Sequence, residues 1–134
     1  MSNDVILIVD DSKFIAQAYS RVLLGLGYRV LIACDGTTGL FAAESCHPAL
    51  ILLDMLMPDM GGIEALRKLK QTSSTADIPV LIITSLSDKN RQTLINEGAA
   101  GYFEKASMTP ETLENAVSTI LKKRLLVPNK SDVK

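Results

Sequence analysis

Two adjacent aspartates, Asp10 and Asp11, close an apolar run in the segment VILIVDDSK, and a third, Asp54, closes another in LILLDMLMPDMGG. Carboxylates repel: two unit charges roughly 4 Å apart at an effective dielectric of about 20 oppose each other by about 4 kcal/mol. If folding gathers the three, a cation must offset them, and hard oxygen donors with room for water suit Mg²⁺, with Mn²⁺ as a substitute. Thr84 ends a further run in VLIITSL, and Lys105 closes GYFEK. A metal, a lysine and a hydroxyl around one further carboxylate make a phosphoryl-transfer site. Taken singly, each residue has an ordinary reading: a helix cap for the Asp pair, a loop residue for Asp54, a solvated lysine, a strand-end hydroxyl. Their shared position after successive apolar runs is what favours chemistry.

The elements that must position them are short apolar runs at residues 5–9, 30–33, 50–53 and 80–83, with a weaker one at 101–103. The first four lack in–out alternation, the pattern of strands buried on both faces of a helix-covered parallel sheet. Between them lie helix-length segments at 12–26, 37–45, 63–70, 88–97 and 109–124. The first carries Ile15, Ala18, Val22 and Leu26 as its apolar stripe and stops at Gly27; the fourth stops at Gly98. The fifth opens with Thr109, Pro110 and Glu111, an N-cap, a first-turn proline and an acid at the positive dipole end, and its inward stripe is Leu113, Val117, Ile120 and Leu121. Five βα units predict an α/β fold: a doubly wound parallel sheet between two helix layers. Ligands of such sheets bind outside the carboxyl ends of the strands at the switch point, which is where Asp10, Asp11, Asp54, Thr84 and Lys105 fall.

Composition narrows the classes. The 134 residues suit one domain, and 47% apolar residues suffice for a core. With 14 basic against 15 acidic residues, nothing draws this domain to nucleic acid or to an anionic membrane. No apolar run approaches the roughly 20 residues of a membrane span, and the acidic start MSND reads as no signal peptide, so a cytoplasmic protein is expected. Cys34 and Cys46 read as free thiols. His47 is the one histidine, which excludes a His-rich metal site and disfavours a Ser-His-Asp hydrolase; it reads as a helix-end or surface residue. The segment 125–134 turns polar after Pro128 and reads as a tail or the start of a linker.

Together the motifs VDDS, DMLMPDMGG, TS and YFEK resemble those of the receiver domains of bacterial two-component response regulators, the CheY-like family, over about residues 4–124 of a domain drawn at 1–124. The resemblance implies a flavodoxin-like (βα)5 sandwich that catalyses only its own phosphorylation and slow dephosphorylation. It implies that Asp54 accepts a phosphoryl group from the phosphohistidine of a sensor histidine kinase or phosphotransfer protein. Asp11, Asp54 and the backbone carbonyl of Leu56 would hold Mg²⁺, with Asp10 in support through water. Lys105 would pair with one phosphoryl oxygen, Thr84 would donate to another, and Ser85 is small enough to let its amide approach. Tyr102 would turn inward when Thr84 moves, remodelling the face built from 88–97, 101–103 and 109–124 for a downstream protein or for a second copy in a homodimer. Leu56 and Leu86 would flank the path of attacking water, and two leucines there imply slow hydrolysis. One departure stands out. The family usually has a proline, often cis, after the lysine, and Ala106 follows Lys105 here. A non-proline cis bond costs about 2.5–4 kcal/mol, so a trans bond and a shifted loop after the fifth strand are expected.

Rival readings fit less well. A haloacid dehalogenase-type phosphatase wants Asp-x-Asp at the first strand, whereas the acids here are adjacent. A flavodoxin-like FMN binder wants a hydroxyl- and glycine-rich loop where two aspartates would repel phosphate. A P-loop ATPase needs a glycine-rich Gly-Lys-Ser/Thr loop that the sequence lacks. The alternative within the same fold is a phosphorylation-independent protein-interaction module.

Overall fold

Apolar strands with no polar face need cover on both sides, and alternation along each strand decides which helices supply it. The computed structural model describes residues 4–85 and 91–126. Its elements are β1 (Val5–Val9), α1 (Lys13–Gly25), β2 (Arg29–Ala33), α2 (Gly36–Cys46), β3 (Leu50–Leu53), α3 (Gly62–Gln71), β4 (Val80–Thr84), α4 (Arg91–Asn96), β5 (Gly101–Glu104), a 3₁₀ turn (Lys105–Ser107) and α5 (Pro110–Leu126). The five strands form one sheet in the order β2-β1-β3-β4-β5, every neighbouring pair parallel. One face of the sheet (Leu7, Val9, Ile51, Leu53, Ile82) packs on Ala43 of α2, Leu66 and Leu69 of α3 and Leu94 of α4. The opposite face (Ile6, Ile8, Leu50, Leu52, Ile83) packs on Ala16 and Leu23 of α1 and Leu113 and Val117 of α5. Each Val, Leu or Ile side chain so removed from water contributes about 1.5–3 kcal/mol.

Helix ends follow their local chemistry. Ser12 caps α1, its hydroxyl accepting the Ile15 amide at 3.3 Å. Asp35 caps α2 through the Thr38 amide at 2.7 Å, and Thr109 accepts the Thr112 amide at 3.1 Å ahead of α5. Gly27 and Gly98 take positive φ, +96° and +107°, where the first and fourth helical segments were expected to stop. His47 ends α2 in the left-handed region, with Nε2 at 3.3 Å from Asp77 Oδ1, and both cysteines are free and exposed. All peptide bonds of the described residues are trans, that between Lys105 and Ala106 included.

Two expectations are corrected. The stripe of α1 is rotated: Ala16 and Leu23 are fully buried, whereas Ala18 is exposed and Leu26 lies past the helix as its half-exposed C-cap. This helix has apolar residues around most of its circumference, so the apolar period alone leaves its rotation undetermined. β2 is not buried on both faces: it is an edge strand, with Leu31 and Ile32 38% and 41% exposed. An edge strand loses the cover that a central strand receives from flanking neighbours. Smaller differences are at boundaries. α5 runs to Leu126, past the expected end at residue 124, and of the fourth helical segment only Arg91–Asn96 is a described helix, residues 86–90 lying outside the described chain.

Close approach of α2 to β1 rests on Gly39, where a Cβ would meet the two methyl carbons of Val9 at 2.8 and 2.9 Å. Gly39→Ala is expected to push α2 off the sheet at a cost of about 1–3 kcal/mol, read as a fall in Tm of several degrees by calorimetry; an unchanged Tm would show that the helix gives way freely.

Candidate functional site

The strand order reverses between β1 and β3, so their carboxyl ends flank the switch point. Asp10 follows β1 and is fixed by its amide, which donates to the Ala33 carbonyl at 3.0 Å; the Asp54 amide donates to the Val9 carbonyl at 3.0 Å. The two residues are nearly inaccessible, at 3% for Asp10 and 4% for Asp54, and Thr84 at the end of β4 is at 0%. The 3₁₀ turn after β5 brings Lys105 over both acids: its Nζ lies 3.0 Å from Asp10 Oδ2 and 3.3 Å from Asp54 Oδ2. The remaining oxygens accept backbone amides, Asp10 Oδ1 from Ser12 at 2.9 Å and Asp54 Oδ1 from Leu56 at 3.4 Å. Asp11 is exposed, and one carboxylate oxygen from each of Asp10, Asp11 and Asp54 lies within 4.8 Å of the others. Three hard oxygen donors, one of them open to solvent, fit a Mg²⁺-type cation that keeps several waters.

Electrostatics follow from burial. Asp54 is pushed above the usual carboxylate range by loss of solvent first and by the Asp10 charge second, with Lys105 pulling the other way. Burial pulls Lys105 down, but its hydrogen bond to Asp10 and the charges of Asp54 and Asp10 outweigh that and hold it above an ordinary lysine. The Asp–Asp–Lys arrangement therefore keeps one positive charge between two negative ones.

Of the other expected residues, Ser85 is exposed beside Thr84, and Leu56 is 52% exposed at the rim. Leu86 lies outside the described residues. Tyr102 is 4% exposed, with the Arg91 guanidinium carbon 5.9 Å from its ring centroid. Two residues at this edge received no role from the sequence. Tyr19 of α1 lies near the cluster, its phenol raised by burial and by Asp10 and Asp54 against the opposing pull of Lys105. Asp59 accepts from the Gly36 amide at 2.9 Å, the Thr37 amide at 2.9 Å and the Thr37 hydroxyl at 2.7 Å. Its partners lie 22 and 23 residues earlier in the chain, a separation at which no local pattern carries a signal.

Comparison with known proteins agrees with this geometry. A family model described as "Response regulator receiver domain" matches residues 6–118. The chain is 32% identical over 124 residues to "Probable transcriptional regulator ycf27" of Porphyridium aerugineum, covering 92% of this chain and 50% of that one. It is 34% identical over 124 residues to "DNA-binding dual master transcriptional regulator RpaA" of a Synechocystis strain, covering 92% and 51%. The chain thus spans about half the length of the curated relatives it matches. A solved receiver domain protein (CheY-like) of Methanospirillum hungatei superposes with a TM-score of 0.85 at 29% identity, covering 92% of this chain and 98% of that one. No described helix is long and apolar enough to cross a membrane.

The raised Asp54 has a signed consequence. A carboxyl whose folded pKa exceeds its unfolded value binds more protons when folded, so stability falls as pH rises from about 4 through the raised value. In EDTA at pH 7, Asp54→Asn is expected to melt several degrees above wild type, with the gap closing toward pH 4. Equal melting of the two proteins at pH 7 would contradict the assignment.

Proposed function

The chain belongs to the response regulator receiver domain family, and on that premise we propose that it takes a phosphoryl group from a histidine kinase or phosphotransfer protein onto Asp54 and thereby switches a partner-binding surface. What supports this reading most is the contact of Lys105 Nζ with both Asp10 and Asp54, at 3.0 and 3.3 Å. A lysine held against the acceptor carboxylate stands where an arriving phosphoryl oxygen would need a positive charge. An Asp54 carboxylate oxygen attacks phosphorus, the P–N bond to the partner's histidine breaks, and the imidazole keeps the electron pair and is free to take a proton. The product is an acyl phosphate. A Mg²⁺ bound by Asp11, Asp54 and the Leu56 carbonyl, with Asp10 in support, would supply charge compensation for the phosphoryl oxygens. Lys105 Nζ exchanges a carboxylate for a phosphoryl oxygen, the Thr84 hydroxyl donates to another, and the Ser85 amide approaches a third.

Capture of Thr84 by the phosphoryl group is the link to output. Tyr102 pairs with Ile82 in the neighbouring strand, two residues before Thr84. Contrary to the expected inward turn on activation it is already buried, lining a hollow with Arg91 of α4 and Thr112 and Ala116 of α5, so the change at that face falls to its neighbours there. Two states of that face must differ by only a few kcal/mol for one phosphoryl group to shift the population. The named relatives are transcriptional regulators, which supports a protein target in gene control; the balanced charge of this domain argues for protein contact rather than for nucleic acid contact of its own.

Acetyl phosphate with Mg²⁺ is expected to add one phosphoryl group by intact mass, and Asp54→Asn to add none; labelling of Asp54→Asn at the wild-type level would remove Asp54 as acceptor. The phosphorylated state is expected to be long-lived, because the Leu56 side chain at the rim cannot hold an attacking water. Leu56→Asn should lose its phosphoryl group several-fold faster than wild type, and equal decay curves would take Leu56 out of the lifetime.

A further inference from the structure

We propose that Asp59 is a positioning residue for the phosphoryl site: its carboxylate straps the β3–α3 loop to the start of α2 and so sets where the Leu56 carbonyl meets the cation. This rests on the reading of Asp54 and its neighbours given above. The loop leaves β3 at Asp54 and re-enters a helix at Gly62. Its base is closed by the Gly62 amide donating to the Met55 carbonyl at 2.9 Å, and a Cβ at Gly62 would meet Met55 Cα at 2.7 Å. The loop between is poorly buried: Leu56, Pro58 and Asp59 are exposed. Packing holds the residues on either side of Leu56, with Met55 buried and Met57 set against the core, but leaves the exposed Pro58 and Asp59 uncovered.

Asp59 adds a polar restraint to the exposed limb of the loop. One oxygen accepts the Gly36 amide at 2.9 Å, the other the Thr37 amide at 2.9 Å and the Thr37 hydroxyl at 2.7 Å. Two oxygens on adjacent backbone donors fix both translation and tilt of the loop against α2, as one bond would not. The charge sits at a helix N-terminus, where it is favoured, and the three bonds pull the carboxyl down to about 2, so it stays ionised throughout the working pH range. The neighbouring Met60 lies on Gly36, where a Cβ would meet its Cβ at 2.8 Å. Capping of α2 does not rest on Asp59 alone, because Asp35 takes the Thr38 amide locally, while Asp59 takes the buried Gly36 and the exposed Thr37 amides. The long-range bonds are also a registration of one loop against one helix end.

Mg²⁺ alone is the probe, titrated into wild type, Asp59→Ala, Asp59→Asn, Thr37→Val and Thr75→Ala while amide shifts and Tm are recorded. Groups that orient a metal ligand typically change affinity by about 10–100-fold when removed. Asp59→Ala is expected to bind Mg²⁺ about tenfold more weakly than wild type, with Asp59→Asn and Thr37→Val in between; those two carry the test if the alanine variant fails to fold. Thr75→Ala is the control for stability alone. It removes a buried hydroxyl that donates to the Leu69 carbonyl at 2.6 Å before β4, at the opposite edge of the sheet, and should lower Tm while leaving Mg²⁺ affinity unchanged. Wild-type affinity in the Asp59 and Thr37 variants, or an equal loss in Thr75→Ala, would overturn the strap and leave the phosphoryl reading standing. No Mg²⁺ response in wild type would overturn both.

Discussion

A lysine ammonium within 3.0 Å of one buried carboxylate and 3.3 Å of another is the contact on which this site depends. Asp10 and Asp54 end neighbouring strands, so the sheet itself forces two acids together at the switch point. Without a cation between them, one would have to take up a proton or water would have to enter. Removing one partner of a buried ion pair costs about 3–5 kcal/mol because the other charge is left uncompensated. Lys105 meets that demand from the end of β5, two strands away from β3. The same demand makes the cluster a candidate metal site: beside the lysine it offers one carboxylate oxygen from each of Asp10, Asp11 and Asp54, all within 4.8 Å of one another.

Placement of that lysine ties the ends of the fold together. β5 has to pair with β4 in register, Tyr102 beside Ile82 and Glu104 beside Thr84, before the following 3₁₀ turn can carry Lys105 over the acids. Tyr102 and the turn that carries Lys105 therefore depend on one strand. On the other side of the switch point, α2 approaches closely because Gly39 has no side chain, and its first amides meet the loop after β3. Asp54, its counter-charge and the loop after it are thus each fixed by a different element, and the sheet holds them in common.

Much of this was legible in the sequence because each signal was local. Unbroken apolar runs gave the strands, Thr109, Pro110 and Glu111 marked the start of the last helix, and polar residues placed after apolar runs pointed to one edge of a parallel sheet. What was not legible depends on distant parts of the chain. The rotation of α1 is set by its fit on Ile6 and Ile8 of the sheet, not by its own apolar period, which is why Ala16 and Leu23 are buried rather than Ala18. An apolar run cannot say whether a strand is central or marginal, so Leu31 and Ile32 lie exposed on an edge. Ala106 after Lys105 suggested a displaced loop, yet a trans bond and a 3₁₀ turn leave the lysine in contact with both acids. Asp59 meets partners more than twenty residues away.

The central claim is that the two buried carboxylates require a cation and that Lys105 and a divalent metal answer the same need. Thermal melting of wild type and Lys105→Met, each in EDTA and in excess Mg²⁺, tests it most directly. A ligand that binds only the folded state stabilises it by RT ln(1 + [L]/Kd). The account predicts that Lys105→Met melts well below wild type in EDTA and gains more from Mg²⁺ than wild type does, since the metal there replaces the lost charge. Equal melting of the two proteins in EDTA, or an equal gain from Mg²⁺ in both, would contradict it.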